Sequence, residues 1–177
     1  ENVRQTNLES LAKLPPVFAK DGVQSAGNSS GIVDGSAAVV VATKNFVRAN
    51  SLKPLTRIIA SASCGIDPKV MGLGPVPSIN LLLEMTGLKI GDIGLIEINE
   101  AFAAQFIGCE RELKFDRKIA NVNGGAIALG HPLAASGTRI SLTLSREMNI
   151  RKTKYGIASA CIGGGQGTAI LFENCNL

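Results

Sequence analysis

The sequence predicts an α/β fold, a mixed five-stranded sheet with helices on both faces, in one domain at residues 25–177 behind a lead-in at residues 1–24. Two observations predict it. Strand-like runs alternate with helical ones along the chain, and its last two runs are both strands joined by a Gly-rich turn. The lead-in is polar, and Pro15-Pro16 discourages helix there. Ser36 to Ala42 is short and rich in Val, which reads as a buried strand. A helix over Lys44–Asn50 and a strand over Leu55–Ala60 follow. Gly65 to Ser78 holds several Gly and Pro and reads as a loop, leading to a helix through Ile79, Leu82, Leu83 and Met85 that stops near Gly87. Ile93–Ile98 is a third strand that runs into a helix over Glu100–Leu113. A further helix starts near Pro132, with Leu133, Gly137, Ile140, Leu144 and Met148 on one stripe. Tyr155–Cys161 and Thr168–Phe172 complete the strands, and no internal repeat is visible.

Composition narrows the function classes. The 177 residues carry 18 Lys+Arg against 14 Asp+Glu, a net charge of +4 that suits an anionic small molecule. With one Tyr and no Trp, that charge argues against nucleic acid. No apolar run approaches the roughly 18–20 residues that span a bilayer, so no membrane role is expected. Cys64, Cys109, Cys161 and Cys175 show no C-x-x-C spacing, so a reduced, cytoplasmic setting is expected in place of a disulfide framework. With a single histidine, His131, no compact metal-ligand set is present, and no metal is expected. Because the chain begins at Glu1 and not at Met, an upstream cut or processing is also expected.

Three segments can carry chemistry. Asn99-Glu100-Ala101-Phe102-Ala103 stands at the carboxyl end of a strand where a helix begins, the usual ligand position in open α/β sheets. The plainer reading makes Asn99 an N-cap with Glu100 in the first turn. In residues 121–139, His131 lies between Gly130 and Pro132 among small residues. A lone histidine is ordinarily structural, but here glycines allow close approach. Pro132 suits a first helical turn, and the positive helix end would keep the imidazole neutral. The small residues of Ala134–Gly137 suggest a helix packed closely on all sides. In residues 161–167, Cys161 ends a strand ahead of three glycines, whose N–H groups could hold an oxyanion and favour thiolate. The alternatives are a buried cysteine at the lip of a hairpin and a nucleotide loop, the latter weakened by the lack of G-K-[ST] and of a following helix.

Taken together, NEAFA, GGAIALGHPLAASG and CIGGGQG resemble the three carboxyl-terminal signatures of the thiolase family. SAGNSSGIVDG (25–35) and GIDPKVMGLGPVPS (65–78) resemble that family too, so the likeness covers essentially the whole chain. It implies the second unit of a duplicated α/β fold, together with the loop that enters it. The resemblance further implies that His131 activates an acyl-accepting cysteine. Asn99, through a water, would bind one thioester oxygen with His131. Cys161 would move the α-proton of the second acyl-CoA, with the Gly163 N–H in a second oxyanion hole. Ser30 would contact the pantetheine arm of coenzyme A, and Met71 would lie in the loop lining that tunnel. Coenzyme A thioesters would be substrates, with no resident cofactor.

The activity so implied is acyl transfer of the acetyl-CoA acetyltransferase type, joining two acetyl-CoA into acetoacetyl-CoA or the reverse. A degradative 3-ketoacyl-CoA thiolase and a non-catalytic CoA-binding or assembly module are the alternatives. Ketoacyl synthases share the fold but carry His or Asn where Cys161 stands. The chain departs from the family pattern in Ala134, in Val33 before Asp34, and in lacking the acyl-accepting cysteine of the first unit; Cys64, Cys109 and Cys175 do not match it. The expectations are therefore an inactive isolated chain, as a fragment, truncated form or piece of a split enzyme. Its partners would be the amino-terminal thiolase domain and, by family habit, further copies in a dimer or tetramer.

Overall fold

The computed structural model describes residues 3–177, so the first two positions of the lead-in lie outside the described residues. The helices are α1 (Leu8–Ala12), α2 (Lys44–Ala49), α3 (Pro75–Thr86), α4 (Ala103–Leu113), α5 (Ala126–Leu129) and α6 (Ser136–Ile150). The strands are β1 (Thr56–Gly65), β2 (Leu95–Ile98), β3 (Tyr155–Ile162) and β4 (Gln166–Asn174). They form one mixed sheet in the order β1-β4-β3-β2. β4 is antiparallel to both its neighbours, and β3 runs parallel to β2.

The alternation of side chains along the strands splits the core in two. Ile96, Ile98 and Ile157 pack with Ile79 and Leu82 of α3 and with Cys109 and Leu113 of α4. Leu95, Ala158 and Phe172 point the other way, onto Ile140, Leu144 and Met148 of α6. Each of these large apolar side chains contributes about 1.5–3 kcal/mol by leaving water. Helices thus cover both faces, as predicted.

Among the described residues the sheet has four strands, not five. Residues 36–42 make no ladder with any described strand, and Val40 is 97% exposed. A strand exists only with a neighbour to take its N–H and C=O groups, and composition alone does not supply one. The predicted loop at 65–78 is also more regular than expected. β1 runs on to Gly65, a 3-10 turn spans Pro68–Leu73, and α3 begins at Pro75. Proline at the first turn of a helix gives up no hydrogen bond, so these prolines start the helix where they read as breakers. Gly87 ends α3 as predicted, in the left-handed conformation (φ 68°) that closes a helix.

Two helix starts move. α4 begins at Ala103 with Phe102 as its N-cap, so Asn99 is not a cap. α6 begins at Ser136, after a turn in which the Ala135 and Ser136 N–H groups donate to the Pro132 carbonyl. Ile140, Leu144 and Met148 are buried as the stripe predicts, but Leu133 is 63% exposed and a Cβ on Gly137 would meet nothing within 4 Å. The start of α6 is therefore open on one side among the described residues, not packed all round.

Glu97 of β2 is buried on the α6 side, and burial pushes its carboxyl up to about 7, against the opposing pull of Arg139. The native state then holds this proton more tightly than the unfolded chain does. The stabilising contribution is complete below the ordinary value of 4.5 and is lost as pH rises through about 7. Glu97→Gln is expected to flatten that loss and to exceed the parent above pH 7, by up to about 3 kcal/mol in urea unfolding. A variant less stable than the parent above that pH would contradict the assignment.

Candidate active site

Asn99 follows β2 directly, and its N–H continues the parallel ladder by donating to the Ser159 carbonyl at 2.9 Å. Its side chain is 1% exposed, and its Nδ2 lies 3.3 Å from His131 Nε2. The other ring nitrogen, Nδ1, lies 2.6 Å from the hydroxyl of Ser136, itself 2% exposed. Asn99 Oδ1 is buried without a hydrogen-bond partner among the described residues. Burial, then the Arg139 charge, lowers the His131 pKa and keeps the ring neutral. The direction agrees with the sequence reading, with burial as its largest cause.

Side chains far apart in the sequence fix this corner. Asn121 takes the place of a fifth strand along the free edge of β2: its Oδ1 accepts from Ile98 N–H and its Nδ2 donates to Ile98 C=O, each at 2.9 Å. The same amide donates to Glu100 at 2.8 Å, and the Glu100 carboxylate also accepts the Ile127 N–H at 3.2 Å. Glu100 therefore clamps the strand end to the first turn of α5, not of α4. From the lead-in side, Ser30 donates both its N–H (3.1 Å) and its hydroxyl (3.2 Å) to the Ala101 carbonyl. His131 N–H donates to Gly31 C=O at 2.8 Å, and Ile32 bridges to His131. Gly130 (φ 95°) passes under Val33, whose methyl groups would lie 2.4–2.6 Å from a Cβ there. The departure at Val33 thus fills the space over a required glycine.

Cys161 stands near the end of β3, two residues past the Ser159 whose carbonyl receives Asn99 N–H. It is half-buried, and burial pushes its thiol up, opposite to the expectation that neighbouring N–H groups favour thiolate. Gly163 is exposed in the turn. Gly164 (φ 88°) and Gly165 (φ 89°) adopt backbone that other residues avoid, and a Cβ on Gly165 would lie 2.3 Å from Ile66 O. Met71 is half-buried in the 3-10 turn before α3. Cys109 is buried, its thiol pushed up to about 12, and is no nucleophile. The structure joins Asn99 to His131 by contact, and Cys161 lies on the neighbouring strand, two residues past the carbonyl that Asn99 N–H binds. Ser30 reaches the same corner through the backbone of Ala101, whereas Met71 lies in the turn before α3. Ser136 and Asn121 belong to no chemical motif in the sequence; being polar among small or Gly-rich residues is the local signal they give.

A hollow of about 310 Å³ between α4 and Ile127 is lined by Glu100, Phe106 and Asn121 but includes none of Asn99, His131 and Cys161.

Two protein-family models match the chain: "Thiolase, C-terminal domain" over residues 52–174 and "Thiolase, N-terminal domain" over residues 1–45. The chain belongs to the thiolase family. Among its relatives, bovine mitochondrial 3-ketoacyl-CoA thiolase is 52% identical over 170 residues, covering 96% of this chain and 43% of the relative. The acetyl-CoA acetyltransferase of Syntrophomonas wolfei is 51% identical over 175 residues, covering 98% and 44%. The crystal structure of human mitochondrial 3-ketoacyl-CoA thiolase in complex with CoA superposes with a TM-score of 0.96 at 51% identity, covering 98% of this chain and 44% of that one. The chain thus spans less than half the length of these relatives.

Proposed function

We propose that this chain forms the carboxyl-terminal part of a thiolase active site and works together with a unit that carries the acyl-accepting cysteine. The whole would transfer acyl groups between coenzyme A thioesters, condensing two acetyl-CoA to acetoacetyl-CoA or cleaving the product with CoA. The observation that carries this reading is the Asn99–His131 contact at two separate strand and turn ends, with Cys161 on the adjoining strand.

In the condensing direction, neutral His131 takes the proton of the accepting thiol as its sulfur attacks the first thioester. The acyl–sulfur bond to CoA breaks, the departing CoA thiolate takes a proton from solvent, and His131 keeps the thiol proton on Nε2. Cys161, its own thiol proton released to solvent, then removes an α-proton from the second acetyl-CoA. The enolate oxygen is held by the Nε2–H of His131 and by a water on Asn99, and its carbon attacks the bound acyl group. The Gly163 N–H holds the oxygen of the resulting tetrahedral centre, which expels the accepting thiolate; that thiolate takes the proton of His131, and Cys161 is left as the thiol. Each such donor is worth roughly 3–4 kcal/mol at the transition state. No resident cofactor enters, and CoA is substrate and product. Ser30 and Met71 are proposed to border the pantetheine arm, with Ser30 acting partly through the Ala101 backbone it holds.

Around the site, Ile32 (82%), Leu129 (47%) and Leu133 (63%) are exposed. Apolar side chains grouped at a catalytic corner fit a wall supplied by the other unit. A homo-oligomer, dimer or tetramer, is part of this proposal. All four cysteines are free thiols, which fits a reducing compartment. Cytoplasm is one such compartment, and the bovine and human relatives are named mitochondrial. The degradative reading is the second one, because relatives named 3-ketoacyl-CoA thiolase and acetyl-CoA acetyltransferase match at 52% and 51% identity.

The test is turnover of acetoacetyl-CoA and of a long-chain ketoacyl-CoA by the chain alone and by the chain joined to the amino-terminal unit. The joined protein is expected to turn over, with preference for the short substrate, and the chain alone to be inactive. Activity of the isolated chain, or an inactive joined protein that is folded and binds CoA, would contradict the catalytic proposal; the second result would favour a CoA-binding module.

A further inference from the structure

We infer that Ser136 is the positioning residue of His131, fixing the imidazole in the tautomer whose Nε2 lone pair faces Asn99. The inference rests on the role proposed for His131 and adds how that role is secured. Ser136 Oγ lies 2.6 Å from His131 Nδ1 and 3.1 Å from the Pro132 carbonyl. A hydroxyl has one proton to give. When it goes to Pro132 O, the oxygen is left to accept Nδ1–H, and Nε2 is free to accept from Asn99 Nδ2 at 3.3 Å. Every proton of the Ser136–His131 pair then has an acceptor.

The opposite arrangement fails at the Asn99 end. If Ser136 donated to Nδ1, the ring proton would sit on Nε2 and face the Asn99 amide N–H, donor against donor. Turning the Asn99 amide over would relieve that clash but leave its two N–H groups as the unpaired ones in a site 1% exposed. The first arrangement leaves Oδ1 and one Nδ2–H unpaired, the turned amide leaves both Nδ2–H groups, and a buried orphan N–H is the less tolerated of the two kinds.

A hydroxyl orients the ring differently from a carboxylate. It accepts Nδ1–H without adding negative charge, so it does not stabilise imidazolium. Burial and Arg139 can then hold His131 neutral. A neutral ring with its Nε2 lone pair turned to the pocket is the form that can receive a thiol proton.

His131 is the one histidine in the chain, so its ring nitrogens give an unambiguous pair of ¹⁵N resonances. The experiment is ¹⁵N–¹H correlation through the imidazole two-bond couplings, on this 177-residue chain, well above the imidazole pKa. The expected wild-type result is a pyridine-like Nε2 and a protonated, pyrrole-like Nδ1. In Ser136→Ala the Nδ1–H form is expected to fall from the dominant to the minor species, with the rest of the spectrum dispersed as before. A wild-type ring dominated by Nε2–H, or a tautomer ratio unchanged in Ser136→Ala, overturns the inference. Should the variant not fold, the wild-type tautomer still decides. The readout needs no turnover: a joined protein without thiolase activity but with Nδ1–H leaves this inference standing, and an active one with Nε2–H removes it alone.

Discussion

Cys161→Ala, made in the protein joined to its amino-terminal unit, is expected to lower exchange of the α-protons of acetyl-CoA with solvent by ~100-fold or more. The expectation starts from the sheet. β2 and β3 run parallel, Ile98 opposes Ser159, and Asn99 N–H binds the Ser159 carbonyl, so Cys161 lies on the strand next to Asn99. Cys161 lies two residues along β3 from that carbonyl, ahead of a turn whose Gly164 and Gly165 leave no side chain over the strand end. Its burial raises the thiol, so the resting group is protonated. That form can give a proton to a leaving carbanion in the cleaving direction, and must lose its proton before it serves as base in the condensing one. Alanine offers neither form. His131 and Asn99 remain in the variant, so acyl loading of the first site should persist while exchange is lost. Exchange at the parent rate would remove Cys161 from the chemistry.

Gly167→Ala is expected to destabilise the fold by about 3 kcal/mol or more in urea unfolding, among the large effects of single substitutions. A Cβ on Gly167 would lie 1.9 Å from Gly74 O and 2.1 Å from Gly74 C. Conversely, a Cβ on Gly74 would lie 2.3 Å from Gln166 O. Two backbones touch here, and neither can swing aside as a side chain does. The contact matters to the site because Gly167 is paired in register with Cys161 on one side and Cys64 on the other. It seats the start of α3, and the turn holding Met71, against the strands that end at the site. Gly91→Ala, where an added Cβ meets nothing within 4 Å, serves as the control and should change stability by less than about 0.5 kcal/mol. Equal stabilities for the two variants would show that α3 can shift away and that the contact is not tight.

Much of this arrangement is legible in the sequence because it is written in local chemistry. Ile93–Ile98, Tyr155–Cys161 and Thr168–Phe172 are apolar runs with turn residues at their ends, and each is a strand within a few residues. Gly87 closes α3 where a left-handed residue was needed. The errors cluster where the deciding partner is remote. Residues 36–42 have the composition of a strand but no described neighbour. Pro75 starts a helix whose reason is the Gly74–Gly167 approach. Asn99 reads as a cap, yet three residues separate it from Ala103 because Asn121 holds Glu100 and Ser30 holds the Ala101 carbonyl. The Asn99–His131 pairing is legible through resemblance of motifs, whereas Ser136 carries no local signal beyond being polar among small residues. Its significance depends on a turn that folds its hydroxyl back onto a ring five residues earlier.

The central claim is that Asn99, His131 and Cys161 surround one thioester. Its most direct test is a crystal structure of the joined protein, acylated on its accepting cysteine so that His131 Nε2 carries a proton, with a non-cleavable acetyl-CoA analogue. The account predicts the carbonyl oxygen of the analogue within about 3 Å of His131 Nε2 and of a water on Asn99, with Cys161 Sγ in contact with the acetyl methyl carbon. An analogue bound with its acyl group away from His131, with Cys161 touching no part of it, would contradict the account.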